Sequence, residues 1–331
     1  MGSSPIKIFI NGDLKKFPQE INIVSVLESL NISSKHIAIE INENLVFRSD
    51  WQETNLKDGD KVEIVKAIGG GYLTQDSLVI AGKNYSSRLL VGTGKYKDED
   101  EAISSIEASG AEIVTVAVRR IDLQNDKDSS ILDYISPDKY TILPNTAGAY
   151  TTKDAVRMAK LGREILGGKN LLKLEVLDDS KTLLPNMDST IEAAEILVRD
   201  GFEVMVYCTA NYESCMKLED IGCVSIMPLA APIGSGQGIA EPQKIQKIID
   251  SVSVPVIIDA GIGTASDASI AMEMGADAVL LNTAIAKSEN PTQMALAMKL
   301  AVESGRLAHK SGRIPKSEPS PSSPEKGIIE S

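Results

Sequence analysis

Apolar segments of strand length recur eight times between Tyr72 and Pro315, each followed by a helix-like or loop stretch. Near-continuous Val, Ile and Leu strands separated by amphipathic helices are typical of a parallel sheet that is buried on both faces. Eight such units in roughly 245 residues predict an α/β fold of the (β/α)8 TIM-barrel type, with an open doubly wound sheet as the alternative. The eight segments are RLLVG, IVTVAV, YTILPN, LLKLEV, EVMVYC, VSIMPL, VPVIIDAG and AVLLNTA.

A separate small α+β domain is predicted for residues 1–71. The segment KIFING predicts a strand that enters a hairpin at Asn11-Gly12, because this dipeptide suits the left-handed turn positions. Apolar residues at helical spacing between positions 23 and 30 predict one helix. The segments IAIEI and KVEIVKAI predict two further strands. Together they indicate a small sheet wrapped on one helix.

The last predicted strand of this domain runs directly into Gly69, Gly70 and Gly71, and Tyr72 continues the chain. Three consecutive glycines predict a thin, flexible segment without side chains, of the kind that threads into a narrow channel. Such a tail is useful at the end of a chain. Its place in the middle of this sequence needs an explanation.

Composition excludes several classes of function. The net charge of -12 argues against a nucleic-acid or anionic-membrane surface. No apolar run approaches the ~20 residues of a membrane span. Three cysteines and two histidines, without metal-ligand spacing, predict neither a disulfide framework nor a metal site, and we expect no cofactor. We expect a cytoplasmic enzyme, with a disordered Ser-, Pro- and Glu-rich tail at residues 316–331.

The most unusual residue for a buried strand is Lys173 in LLKLEV. Side chains alternate along a strand, so Lys173 and Glu175 share the inner face if Leu172 and Leu174 pack against the helices. A lysine inside a barrel is poorly hydrated, which predicts a lowered pKa and a nucleophilic amine. We therefore predict a lysine that forms a Schiff base. A buried Lys–Glu ion pair with only a structural role is the alternative.

The loops after strands six, seven and eight form the predicted phosphate site. Strand seven ends in IIDAGIG and strand eight in LLNTA. Loops at these two positions of a barrel often bind phosphate through backbone N–H groups. Gly261 and Gly263 allow the backbone to approach a ligand closely. The loop after strand six, APIGSGQG, is a third glycine-rich segment at the same end, and the three together indicate a phosphosugar site.

Asp259, at the end of strand seven, adds a second carboxylate. Neither histidine lies at a predicted strand end, so we assign proton transfers to Glu175, Asp259 and the lysine. The alternative is that Asp259 caps the helix that follows it.

Residues 72–315 resemble bacterial and plastid thiazole synthase of thiamin biosynthesis over essentially their whole length. The segments that carry the resemblance are SRLLVGTGKY, AVRR, LPNTAGA, KLEV, PIGSGQG, IIDAGIG and LLNTA. Residues 6–71 resemble the ubiquitin-like (β-grasp) sulfur carrier of the same pathway, through RSDW, LKDGDKVEIV and the terminal glycines. The resemblance implies a ubiquitin-like domain fused to its own partner enzyme.

By this resemblance, Lys173 forms an imine with the ketone of 1-deoxy-D-xylulose 5-phosphate, and Glu175 and Asp259 shift the protons that move the carbonyl along the sugar. Sulfur arrives as a thiocarboxylate on the carrier's last glycine, prepared by a carrier-activating adenylyltransferase. Dehydroglycine supplies the remaining ring atoms of a thiazole phosphate carboxylate. We also expect a homo-oligomer. The residues implied to hold the sugar phosphate are Gly234, Ala260, Gly261, Asn282 and Thr283.

The chain departs from the carrier family in one respect. A thiocarboxylate needs a free C-terminal carboxyl, whereas here the glycine carbonyl is part of a peptide bond. Either the chain is cut after Gly70 or Gly71, which we favour because the tail is intact, or the fused domain is a tethered remnant and a separate carrier delivers sulfur. Two rival functions stay open: a class I aldolase or isomerase of phosphosugars, and a ubiquitin-like modifier fused to a barrel that acts as a scaffold.

Overall fold

A computed structural model of the chain describes residues 5–19, 21–30, 32, 37–42, 44–47, 50–66, 76–120 and 134–316. The chain divides into two compact units, residues 1–75 and 76–331. The predicted domain boundary after Gly71, and residues 317–331 of the predicted disordered tail, lie outside the described residues. None of the helices in the described ranges combines the length and apolar character that crossing a membrane requires.

The N-terminal unit is a five-stranded sheet packed on one helix, which confirms the predicted ubiquitin-like α+β fold. The hairpin turns at Asn11 and Gly12, both left-handed with φ of 48° and 86°, as an Asn-Gly hairpin requires. Helix α1 (Ile23–Ser29) is capped by Asn22, whose side chain accepts a hydrogen bond from the backbone N–H of Ser25. The strands, in the spatial order β2-β1-β5-β3-β4, are β1 (Ile6–Ile10), β2 (Asp13–Phe17), β3 (Ile37–Ile41), β4 (Asn44–Val46) and β5 (Lys61–Lys66).

The second unit opens with a short antiparallel hairpin, β6 (Leu78–Ile80) and β7 (Lys83–Tyr85), which the sequence analysis did not predict. All eight predicted barrel strands follow. They are β8 (Leu89–Gly92), β9 (Ile113–Ala117), β10 (Thr141–Asn145), β11 (Leu171–Leu174), β12 (Glu203–Cys208), β13 (Ser225–Pro228), β14 (Ile257–Asp259) and β15 (Ala278–Leu281).

These eight strands form one parallel sheet in the order β13-β12-β11-β10-β9-β8-β15-β14. Parallel bridges between Ile226 and Val256, and between Leu229 and Asp259, join the two ends of this order. The sheet is therefore closed into a (β/α)8 barrel, and the alternative of an open doubly wound sheet is wrong.

Helices follow the barrel strands and cover the outside of the ring. After β9 the described chain forms a 3-10 turn, Val118–Arg120, and the next residues lie outside the described part. The barrel helices are α2 (Glu99–Ser109), α3 (Thr152–Ile165), α4 (Met187–Arg199), α5 (Tyr212–Ile221), α6 (Pro242–Ile249), α7 (Ala265–Glu273), α8 (Thr283–Ala286) and α9 (Pro291–Ser311).

Two layers of buried side chains follow from the alternation along the strands. Leu172 and Leu174 belong to the larger core cluster, which includes residues of the surrounding helices. Other strand residues, such as Leu143 and Met205, form a second cluster with Leu78 and other residues of the β6–β7 hairpin. Because that cluster contains the first residues of several barrel strands, the hairpin covers the amino-terminal end of the barrel. The opposite, carboxyl end is left for ligands.

Candidate active site

Lys173 lies on the inner face of β11, together with two carboxylates. Its Nζ lies 2.6 Å from Asp259 Oδ2 and 3.7 Å from Glu175 Oε2. The three side chains are 5–8% exposed, so water screens these charges poorly. Asp259 ends β14 whereas Glu175 follows β11, so the contact with Asp259 crosses the interior of the ring. The structure thus places Lys173 and Glu175 on the predicted inner face.

Burial and the two carboxylates act on the pKa of Lys173 in opposite directions. Burial lowers it, but the negative charges of Asp259 and Glu175 together outweigh burial, and the pKa lies above its usual value. The prediction of a lowered pKa is wrong because it considered burial without the carboxylate across the barrel. Lys173 is therefore an ammonium ion, and a base must take its proton before the nitrogen attacks a ketone.

Glu175 is a carboxyl group that holds its proton more tightly than usual. Burial raises its pKa and the charge of Asp259 adds to the rise, while Lys173 opposes it. Thr146 fixes the backbone at this position, since its hydroxyl donates to the Glu175 carbonyl and accepts from the Glu175 N–H, both at 2.8 Å. A carboxyl group with a raised pKa suits general acid–base catalysis at physiological pH.

The alternative role for Asp259, as the cap of the following helix, is wrong. Thr264 is the N-cap of helix α7, and the Asp267 carboxylate accepts hydrogen bonds from the backbone N–H groups of Gly263 and Thr264, at 2.9 and 3.1 Å. Asp259 faces Lys173 instead. The same bonds occupy two amides of the loop after β14, so a phosphate in this region has to use other donors.

A cavity of about 310 Å³ lies at the carboxyl ends of the barrel strands. The structure brings to its wall all of the residues predicted to transfer protons or hold substrate within the barrel. The predicted tail residues Gly70 and Gly71 lie outside the described residues. The predicted residues that line the cavity are Lys173, Glu175, Asp259, Gly234, Ala260, Gly261, Asn282 and Thr283.

Two positions in this wall are occupied by glycine for different structural reasons. Gly261 has a φ of 79°, and a Cβ there would lie 2.4 Å from the Ala231 backbone nitrogen, so this glycine lets the loops after β13 and β14 pack together. Gly234 has a φ of 75°, and a Cβ there would lie 3.5 Å from Lys95 Nζ and 3.7 Å from Thr283 Oγ1. Gly261 therefore serves packing within the protein, whereas Gly234 leaves space inside the cavity.

Sequence analysis missed Tyr207, which is fully buried beside the lysine. Its ring centroid lies 5.5 Å from Lys173 Nζ, and its hydroxyl donates to the Leu183 carbonyl at 3.4 Å. Burial raises the pKa of Tyr207, so the phenol keeps its proton. The alternation of side chains along EVMVYC could have identified Tyr207, because it lies on the same face of the strand as Met205, which belongs to the second core cluster.

Comparison with known proteins decides the family. Residues 79–324 match the family model "Thiazole biosynthesis protein ThiG", and residues 8–71 match the model of the ThiS family. The chain belongs to the thiazole synthase family. It is a thiazole synthase of thiamin biosynthesis that carries a ThiS-like domain at its N-terminus, and the predicted resemblance to both families is confirmed. The aldolase and modifier–scaffold alternatives are set aside.

Individual relatives agree with this assignment. The thiazole synthase of Paramagnetospirillum magneticum is 54% identical over 98% of this chain and 100% of its own length, so the match extends through both segments. The thiazole synthase of Nitrosospira multiformis is 60% identical over 77% of this chain and 97% of its own. Among solved structures, the Amycolatopsis orientalis BexX/CysO complex matches with a TM-score of 0.66 and 33% identity, covering 73% of this chain and 98% of the matched one.

Proposed function

We propose that Lys173 forms an imine with the ketone of 1-deoxy-D-xylulose 5-phosphate as the first covalent step of thiazole assembly. The observation that supports this is the 2.6 Å contact of its Nζ with Asp259 in the cavity wall. The ammonium passes a proton to a carboxylate, and the neutral amine attacks the carbonyl carbon. Loss of the carbonyl oxygen as water completes the C=N bond.

The two carboxylates then move protons on the sugar. An iminium nitrogen accepts electrons, so a base can remove the proton from the carbon next to the C=N bond. Protonation of the former imine carbon, with loss of the proton from the hydroxyl group on the neighbouring carbon, then turns that hydroxyl into the carbonyl and leaves the lysine nitrogen attached as an amine. We assign the first proton transfer to Asp259, which lies closest to Nζ, and the later ones to Glu175, whose raised pKa suits an acid as well as a base.

The sugar phosphate is held by uncharged groups of the three loops that follow β13, β14 and β15. Their place in one wall of the cavity with Lys173 supports this role. The amides of Gly263 and Thr264 are already bonded to Asp267, so the donors have to come from the neighbouring positions. We assign phosphate and sugar contacts to Gly234, Ala260, Gly261, Asn282 and Thr283.

Sulfur reaches the lysine-bound sugar as the thiocarboxylate of a carrier, and dehydroglycine supplies the remaining ring atoms of a thiazole phosphate carboxylate. We assign the carrier role to the chain's own ThiS-like domain, released by a cut after Gly70 or Gly71 and activated by an adenylyltransferase. The BexX/CysO structure supports the pairing, since a chain 33% identical to this one is part of a complex there. Self-association and a cytoplasmic location stay predictions.

Borohydride reduction tests the imine. Incubation with the deoxypentulose phosphate and borohydride should add the mass of the reduced sugar phosphate to the peptide that contains Lys173. Lys173→Ala should abolish labelling and turnover, whereas Lys169→Ala, at an exposed lysine before the same strand, should keep both. Labelling of another lysine would contradict the assignment. Transfer of labelled sulfur into the product separates this reaction from that of an aldolase, which also forms an imine.

A further inference from the structure

The loop after β8, which lies three strands from β11 in the ring, brings a second lysine to the cavity. The side-chain amide of Asn282 donates to the Gly94 carbonyl at 2.7 Å. Gly92 makes room for this bond, since a Cβ at that position would lie 2.8 Å from the Cβ of Asn282. The end of β15 therefore holds the first loop of the barrel in place.

Lys95 is the residue that this loop presents. Its Nζ donates to Thr283 Oγ1 at 3.1 Å, and it lines the same cavity as Lys173. Its φ of 72° lies in the left-handed region, which side-chain-bearing residues rarely adopt. Across from it stands Gly234, where a Cβ would lie 3.5 Å from Lys95 Nζ. The loops after β8, β13 and β15 thus meet around an ammonium group, and Gly234 of the loop after β13 places no side chain beside it.

The distribution of charge in the cavity indicates a role for the Lys95 ammonium group. Among the described residues that line it, the charged side chains are Lys95, Lys173, Glu175 and Asp259. Lys173 contacts both carboxylates, and it becomes the imine nitrogen in the proposed reaction. The five groups assigned to the sugar phosphate carry no charge. A phosphate dianion inside a cavity is bound much more strongly when a cation faces it.

We propose that Lys95 binds the phosphate of the substrate and makes the enzyme select phosphorylated over unphosphorylated deoxypentulose. This inference rests on the proposed function, because it takes the substrate to be a sugar phosphate that reacts at Lys173. When the substrate binds, the Lys95 ammonium donates a hydrogen bond to a phosphate oxygen. This bond either replaces the bond to Thr283 or is made in addition to it. Thr283 then stands next to the phosphate as a hydroxyl donor.

The test compares two ligands that differ only in the phosphate. 1-Deoxy-D-xylulose 5-phosphate and 1-deoxy-D-xylulose present the same ketone, so the ratio of their imine-trapping efficiencies isolates the phosphate contact. In Lys95→Gln we expect this ratio to fall roughly 10- to 100-fold, as for loss of a charge-assisted hydrogen bond. Lys95→Arg should keep most of it. Lys97→Gln is the matched control, since Lys97 is exposed and paired with Asp98.

Calorimetry in the Lys173→Ala background separates this inference from the proposed function. The variant cannot form the imine at that position, yet Lys95→Gln added to it should still weaken binding of the sugar phosphate and leave the weak binding of the free sugar unchanged. If wild type shows no imine at Lys173 but this difference persists, the proposed function fails and the role of Lys95 stands. Equal effects on both sugars, or no effect on either, would overturn the role of Lys95.

Discussion

Among single residues, the protonation of Lys173 depends on Asp259 more than on Glu175. Burial alone lowers the pKa of Lys173, and of the two carboxylates Asp259 has the larger effect in raising it. Asp259→Asn removes this charge and keeps the size of the side chain. We expect the pKa of Lys173 to fall, so that the rise of imine formation with pH shifts to lower pH. The maximal rate should fall about 100-fold, because a positioned general base is lost.

The measurement is the rate of borohydride-trapped imine as a function of pH, from neutral into the alkaline range. Asp220→Asn, at an exposed position of α5, is the control and should leave the profile unchanged. A shift to higher pH, or a full rate in Asp259→Asn, would show that Asp259 is not the group that holds and accepts this proton.

Gly234 allows a cleaner test of the substrate site than Gly261 does. A side chain at Gly261 would collide with the Ala231 backbone and disturb the protein itself, whereas one at Gly234 would enter the cavity. We expect Gly234→Ala to raise the KM for the sugar phosphate about tenfold, equivalent to ~1.4 kcal/mol. Gly201→Ala is the matched control, because Gly201 has a similar φ of 80° and no atom within 4 Å of the added Cβ.

Both alanine variants carry a left-handed backbone penalty of roughly 1–2 kcal/mol. Steady-state kinetics together with thermal unfolding therefore distinguish the two effects. Equal losses of stability with a raised KM only in Gly234→Ala support the site. A KM that rises equally in Gly201→Ala would mean that strain, and not the substrate space, is responsible.

At the scale of secondary-structure elements, the Asp76 carboxylate links the start of the barrel unit to helix α9. Asp76 accepts from Arg88 at 2.9 Å and from Arg306 at 2.7 Å, and Lys310 lies 3.4 Å away. The hydrogen bond from Arg306 is the largest cause that holds the pKa of Asp76 far below its usual value, with the charge of Arg88 adding to it. Arg88 also donates to the Asp277 carbonyl, so the cluster links α9, β8 and the segment before β15.

Asp76→Asn should lower the free energy of unfolding at neutral pH by roughly 1–3 kcal/mol, through the loss of charge-assisted bonds. Because the folded pKa lies below the unfolded one, this stabilisation is present above about pH 4 and is lost as pH falls toward the folded value. The variant should therefore lose less stability than wild type on acidification. Urea unfolding at neutral and acidic pH measures this, with exposed Asp100→Asn as the control. Parallel pH dependences of wild type and Asp76→Asn would contradict the role of Asp76.

How much of the fold the sequence predicts also differs from element to element. The eight barrel strands were predicted because each is a near-continuous apolar run, buried on both faces. The β6–β7 hairpin was missed because its strands are only three residues long and are not buried on both faces. In LVI, for example, the middle residue Val79 is exposed. Strand β4 was missed for the same reason of length. Short strands form because of the residues that they pack against in the tertiary structure, and the local sequence pattern contains no information about those contacts.

At the scale of the whole molecule, ring closure decides which side chains meet. Lys173 and Glu175 were predicted together because they alternate on one strand. The contact of Lys173 with Asp259, and that of Lys95 with Thr283, join strands that are distant in sequence. Sequence patterns place such residues at strand ends but do not say which of them face each other. For this reason the direction of the Lys173 pKa was predicted wrongly and Lys95 was missed.

The fusion of two families in one chain leads to the last prediction. In the proposed reaction an activating adenylyltransferase needs a free glycine carboxylate, and in the intact chain residues 70 and 71 are joined to Tyr72 by peptide bonds. Peptide hydrolysis is slow without catalysis, so a protease or an autocatalytic reaction has to act at the junction. A run of small residues between two domains is typical of sites where chains are nicked.

We therefore expect protein isolated from its native host to contain a fragment that ends at Gly70 or Gly71, partly with a mass 16 Da higher where one oxygen has become sulfur (S replacing O, about 32 minus about 16 Da). Intact-mass spectrometry measures this. Gly71→Pro is the informative variant, since a proline at the junction hinders cleavage and the substitution changes none of the residues that line the barrel cavity. It should lose sulfur transfer in extracts and regain it when a separate carrier ending in a free glycine is added. Sulfur transfer by an extract that contains only the full-length chain would contradict cleavage and indicate that another carrier delivers the sulfur.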